Sequence, residues 1–178
     1  LCFRANVWNI GAEGQYILGA IFAGGIAMLA TPESPRAIVA VILVAGVVGG
    51  MLWAAITALL RDRFNANEIL VSLMLVYVAE MVLSYLVYGP WRDPQGFNFP
   101  QTVTFANPTK VPRLFDGLRV NIGLVIALVA VAGMTVFLFR LFRGFQALVG
   151  GQASAAARYA GFSSRTALWT ALLTSGGL

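Results

Sequence analysis

Residues Ala37 to Leu60 read AIVAVILVAGVVGGMLWAAITALL, 24 residues without a charge. A helix rises about 1.5 Å per residue, so roughly 20 apolar residues cross a hydrocarbon core of about 30 Å. This stretch alone is long enough to span a bilayer. On its C-terminal side, Ile69 to Tyr88 adds 20 residues with one charge, Glu80, and Ile122 to Phe139 adds 18 with none. On its N-terminal side, Tyr16 to Ala30 is shorter, at 15 residues, and rich in Gly. The pattern predicts an all-α fold, a polytopic transmembrane helical bundle with four full spans and partial ones at either end. The first residues are a semi-apolar run, and a further apolar run, Ala167 to Leu173, begins close to Leu178. Residues 1–178 are therefore read as a single transmembrane domain, an internal part of a longer chain.

Composition agrees with that reading. Hydrophobic residues make up 59% and charged residues 11%, against about 25% charged in soluble domains. The net charge of +5 is no nucleic-acid footprint, because the basic residues lie at the ends of apolar spans, where they anchor and orient them in lipid. The single cysteine, Cys2, excludes an internal disulfide. Without histidine, His-based acid–base, triad and metal chemistry are excluded. No phosphate-binding GxxxxGK[ST] loop is present. No catalytic residue, metal site or bound cofactor is expected, and energy from a nucleotide must enter through a partner.

All the prolines fall outside the four spans. Arg61-Asp62-Arg63 directly follows the longest one and reads as a short cytoplasmic loop. Alternation then puts 31–36 and the loop 89–119 outside, and 140–165 inside. The inner loops hold Arg61, Arg63, Arg140, Arg143, Arg158 and Arg165; the outer ones hold Arg36, Arg92, Lys110, Arg113 and Arg119. The loop 140–165 has no acid, which supports the same choice. Tyr88 and Trp91 suit an interfacial belt. Asn65 is expected to cap the third span, with Glu68 reaching back as in a capping box.

Function is sought in what interrupts the apolar pattern. Asn9-Ile10-Gly11-Ala12-Glu13-Gly14-Gln15 places amides, an acid and glycines beside the shortest span. Irregular polar backbone survives in a membrane only where protein or water covers it, and transporters use broken helices on substrate paths. The competing reading is an ordinary helix start, with Asn9, Glu13 and Gln15 in water. Tyr77, Glu80, Ser84 and Tyr88 share one helix face. A carboxylate at that depth faces a bundle interior or an aqueous cavity, as a pathway residue or as a helix–helix hydrogen bond. Gly46 and Gly50, with Gly49 beside them, form a small-residue packing face. Ala153 to Tyr159 is a short helix closed by Gly161, suited to docking in another protein's groove or to a plain connector.

Asn9-Ile10-Gly11-Ala12-Glu13-Gly14-Gln15 resembles the N-I-G-x-E-G-Q signature of ABC importer permeases, in the branch that includes simple-sugar and nucleoside systems. Asn67-Glu68-Ile69, followed by Ser72-Leu73-Met74-Leu75 and Tyr77, resembles the same branch. So do Gly89-Pro90, Arg92-Asp93-Pro94 and Pro100-Gln101 in the loop that follows. Ala155-Ala156-Ala157-Arg158-Tyr159-Ala160-Gly161-Phe162 resembles the family's cytoplasmic loop that meets the ATPase. The pieces occur in co-linear order over nearly the whole chain. The resemblance implies a multi-pass permease of the bacterial or archaeal inner membrane with about ten helical spans when complete. It implies as partners ABC ATPase subunits that use ATP, an extracytoplasmic solute-binding protein, and a second permease subunit. It assigns coupling to Gly150, Ala156, Arg158, Tyr159 and Gly161, and the translocation path or its support to Asn9, Glu13 and Gln15. Tyr77, Glu80 and Ser84 join the pathway candidates on their spacing alone. The competing function is an ion-coupled secondary transporter with Glu80 as its proton or cation site.

Overall fold

The computed structural model describes residues 2–96, 99–114 and 120–178. A short 3-10 helix, Cys2–Ala5, leads through a non-helical segment into α1 (Ala12–Met28). Then follow α2 (Ile38–Phe64), α3 (Glu68–Tyr88), a 3-10 turn at Asn107–Thr109, α4 (Gly123–Arg140), α5 (Phe142–Gln152), α6 (Ser154–Tyr159) and α7 (Ser164–Gly177). Among the described residues no β-strand occurs, only isolated bridges in the 89–122 loop.

Three of these helices, α2, α3 and α4, are long and apolar enough to cross a membrane. α1, formed from the shortest of the four apolar stretches, is shorter than these three. The helix at Tyr16–Ala30 runs Ala12–Met28, 17 residues, or about 25 Å, and residues 7–11 before it are non-helical. Arg61-Asp62-Arg63 is not a loop: α2 continues through it to Phe64. Asn65 does not cap α3. It ends α2 in the left-handed region at φ 49°, and Asn67 is the cap, its side chain accepting from the N–H of Ile69 at 3.0 Å. Glu68 instead pairs with Arg61, 3.3 Å away.

The packing is inverted relative to a soluble core. Ala54, Ala58, Ala79 and Ala171 are buried, while Val44, Leu52, Met74, Met81 and Leu128 are exposed. Lipid tails solvate large side chains as well as protein does, so small residues form the contacts and backbones come close. Gly46 and Gly49 pack on α1, and Gly50 faces Gly176 of α7 so closely that a Cβ on it would collide with the Gly176 carbonyl. The small-residue face is thus a packing device shared between α1 and α7. Among α4's side chains none is buried; α4 packs mainly on α5, joined to it through Leu141.

Contacts sort the helix ends into two sets. At one end lie Arg61 and Glu68, paired, Asp62 with Arg165, and Arg4 over the ring of Phe139. At the other, Pro32, Ser34 and Arg36 meet Thr104 to Pro108 and Lys110 around a shared cavity. Trp91 lies against Gly24 and Gly25, with the loop's Phe105 also at Gly24, and is half-buried, while Tyr88 is exposed. Of the two belt candidates, only Tyr88 faces outward freely. Arg119 lies outside the described residues.

Candidate translocation and coupling sites

Gly11 and Gly14 lie where α1 approaches α3. A Cβ at Gly11 would sit 2.8 Å from Ser72 Cβ, and one at Gly14 would sit 3.0 Å from Val76 Cα and 3.2 Å from Trp53 Nε1. That approach brings polar groups together. Asn9 Nδ2 donates to Gln15 Oε1 and to Ser175 Oγ, each at 3.0 Å. Asn9 Oδ1 accepts from the Gly11 N–H at 3.1 Å and from Gln15 Nε2 at 3.2 Å. The amide of Asn9 has spent both donors and both acceptor positions. The Ile10 N–H donates to Ser72 Oγ at 3.3 Å, and that hydroxyl donates onward to the Ile69 carbonyl. Gln15 is 3% exposed.

This network satisfies the non-helical backbone before α1 from within the protein, as a nonpolar surround demands. It also lies deep. The Gln15 carbonyl is 3.3 Å from a Cβ built on Gly50, near the middle of α2. Of the motif's polar side chains, Glu13 alone is exposed. The neighbouring cleft, about 580 Å³, is lined by Asn9, Ser175, Cys2 and the α4 residues Ala127, Met134 and Thr135.

Tyr77, Glu80, Ser84 and Tyr88 do share a face of α3, and that face is exposed over its whole length. The helix–helix hydrogen bond considered for Glu80 is not made among the described residues. No group of three or more acids, cysteines or histidines able to hold a metal ion occurs among the described residues.

The segment 140–165, expected as a loop, is mostly helical. In α6 the Gly161 N–H bonds to the Arg158 carbonyl at 3.0 Å and the Phe162 N–H to the Ala157 carbonyl at 2.8 Å. This is a Schellman ending, which needs a left-handed residue at Gly161, φ 77°. Ala157 faces inward, whereas Ala156, Arg158 and Gly161 are exposed and Tyr159 is 95% exposed. Phe162 is held edge-on by Phe142 and Phe145 of α5. Gly150 belongs to α5 and lines a small cavity with Ser154, Ala157 and Arg158.

Some contributors carry little signal in the sequence. Ser72 sits in a quoted motif without an evident task, and Ser175 stands in no motif at all. Asp62 reads only as part of an orientation signal. In the structure it accepts Arg165 Nη2 at 2.7 Å and Trp169 Nε1 at 3.2 Å.

A polar break sealed at mid-depth, small-residue helix contacts and three apolar spans define a multi-pass helical membrane protein of the transporter class. The family model for branched-chain amino acid transport system / permease component matches residues 1–178, and the chain belongs to that family. It is 35% identical to a glucose ABC transporter permease protein of Haloferax volcanii, over 99% of this chain and 48% of the relative. It is 28% identical to a guanosine ABC transporter permease protein of Bacillus subtilis, over 98% of the chain and 50% of the relative. A nucleoside ABC transporter permease protein of Lactococcus lactis is 24% identical, over 100% and 51%. The chain thus spans about half the length of these relatives. No solved structure matches it. Membership of a permease family places the protein among multi-pass plasma-membrane transport subunits and gives the ion-coupled reading of Glu80 no support.

Proposed function

We propose that this chain is the core of a permease subunit of an ATP-driven ABC importer for a nucleoside or a simple sugar. What carries the reading is the full-length family match joined to similarity with glucose, guanosine and nucleoside permeases. The subunit does no bond chemistry and binds no cofactor. ATP is hydrolysed by separate ABC ATPase subunits, a solute-binding protein delivers substrate from outside, and a second permease subunit completes the path. The end bearing α5 and α6 is cytoplasmic, and the 89–119 loop is extracytoplasmic.

Within this reading the motif residues divide their work. Asn9 and Gln15 support the path by holding the break before α1, since their polar atoms are already engaged. Glu13 is left open towards the path. Tyr77, Glu80 and Ser84 line it, because a carboxylate at this depth is not left facing lipid. α6 is the coupling helix: Tyr159, Arg158, Ala156 and Gly161 meet the ATPase, with Gly150 on α5 lining the cavity beside them. Alternating access is an equilibrium between two packings, biased by whichever partner binds one of them better.

The test uses the full-length permease with its ATPase and binding-protein subunits in liposomes. Uptake of labelled nucleoside, sugar and leucine is followed with and without internal ATP, and with ion gradients collapsed. Uptake of nucleoside or sugar should need ATP and the binding protein and survive loss of the gradient. Uptake that ignores ATP and vanishes with the gradient overturns the proposal, and uptake of leucine alone overturns its substrate class. Tyr159→Asp should leave the subunit folded and cut ATP-driven uptake by about tenfold or more.

A further inference from the structure

Asp62 occupies the last turn of α2, where the helix dipole disfavours an acid. Arg165 occupies the first turn of α7, where the dipole disfavours a cation. Neither helix gains from its own charged residue, so the two placements make sense only across the gap. The Asp62 side chain is 11% exposed and the Arg165 side chain 62%. One carboxylate oxygen, Oδ2, takes both Arg165 Nη2 and Trp169 Nε1. Those donors are four residues apart and so stand on one face of α7. Next to Asp62, Arg61 reaches Glu68 at 3.3 Å and the Ala66 carbonyl at 3.3 Å. The end of α2 is therefore a junction, with Asp62 tied to α7 and Arg61 tied to α3.

On the other side of that junction lies α6. Its Schellman turn leads through Phe162 and Ser163 straight into α7, and Ser163 Oγ caps α7 by accepting from the Thr166 N–H at 3.3 Å. Phe162 is pinned between two rings of α5. Only residues 160–163 separate α6 from α7, so displacement of α6 is carried into the start of α7. Beyond Asp62, α7 runs along α2 through Ala58, Ala171 and Leu172 to the Gly50–Gly176 contact. That contact lies 12 residues from Asp62, or about 18 Å, beside the Asn9–Gln15 network.

We infer that Asp62 is a positioning residue that passes movement of α6 to the spans, by clamping α7 to the end of α2 through Arg165 and Trp169. The inference rests on the importer reading, and specifically on α6 as the element that meets the ATPase. Its content is that the ion pair governs how much transport each ATP yields, not whether the subunit folds or the ATPase turns over. Asp62→Asn keeps an acceptor for Trp169 and removes the charge. Arg63→Gln, an exposed neutralisation one residue away, is the control.

The complete importer, reconstituted in liposomes, is assayed for both ATP hydrolysis and uptake of the substrate that the wild type carries. Asp62→Asn should raise the ATP spent per substrate imported about 5- to 10-fold while hydrolysis stays within about twofold of wild type. Arg63→Gln should leave the ratio unchanged. Asp62→Arg combined with Arg165→Asp re-forms the ion pair, though not the Trp169 hydrogen bond, and should recover most of the ratio lost in either single exchange. An unchanged ratio in Asp62→Asn overturns the inference and leaves the importer reading standing. Loss of assembled subunit that the double exchange does not restore also overturns it, since Asp62 is then a fold residue. A wild type with no ATP-driven uptake removes the importer reading and the inference together.

Discussion

Two polar features lie near mid-depth in this protein, and the structure treats them in opposite ways. At the break before α1, the Asn9 amide is saturated by Gln15, Ser175 and the Gly11 N–H, Ser72 takes the Ile10 N–H, and Gln15 is buried. On α3, Tyr77, Glu80 and Ser84 face outward with none of α1, α2 or α7 over them. The two are equally unusual as sequence, since each is a set of polar residues in an apolar region. The difference lies in partners. A saturated amide has nothing left to offer a passing solute, whereas an exposed carboxylate must be met by water, solute or another subunit. The first feature is therefore architecture, and the second is the better candidate for contact with what is carried.

The hardest test of that contrast removes the hub of the sealed network. Asn9→Leu strips partners from Gln15, Ser175 and the Gly11 N–H. Stability should fall by roughly 2–4 kcal/mol, since buried polar groups left unpaired cost about 1–3 kcal/mol each and those in membranes less. Thermal or SDS unfolding of the detergent-solubilised full-length permease measures it. A loss of uptake with no loss of stability would make Asn9 a path residue after all. Gly50→Ala comes next. Its methyl would enter the Gly176 carbonyl, and overpacking of this kind costs about 1–3 kcal/mol. The same unfolding assay reads it, and a neutral result would mean that α2 and α7 are not in close contact. Glu80→Gln should be the mildest for folding, within about 0.5 kcal/mol, yet should lower uptake several-fold. Destabilisation comparable to Asn9→Leu would place Glu80 in a packed interface and cancel the contrast.

The sequence was a good guide wherever burial follows directly from length and polarity. α2, α3 and α4 match the apolar stretches to within a few residues, apart from the end of α2. The charges of Arg61-Asp62-Arg63 suggest a loop because charge usually ends a span; here Arg61 and Asp62 find partners on α3 and α7, and the helix continues. The cap of α3 is Asn67, two positions beyond Asn65. Asn65 has a cap's chemistry, but its left-handed backbone closes α2 instead. α6 was legible because Ala favours helix and Gly161 alone tolerates the backbone that ends it.

By itself the sequence determined that this is a helical membrane protein, which of its regions are apolar enough to span, where the chain breaks polar, and which motifs resemble those of importer permeases. Hydrophobic length and local backbone preference are properties of neighbouring residues, so they can be read in one dimension. Only the tertiary structure decided that Asn9 and Gln15 are sealed while Glu80 is open. It alone joined Ser175 to Asn9, 166 residues away in sequence, and Trp169 to Asp62, 107 residues away. Whether a polar group is satisfied depends on which distant groups the packing brings within about 3 Å of it, and no local pattern carries that information.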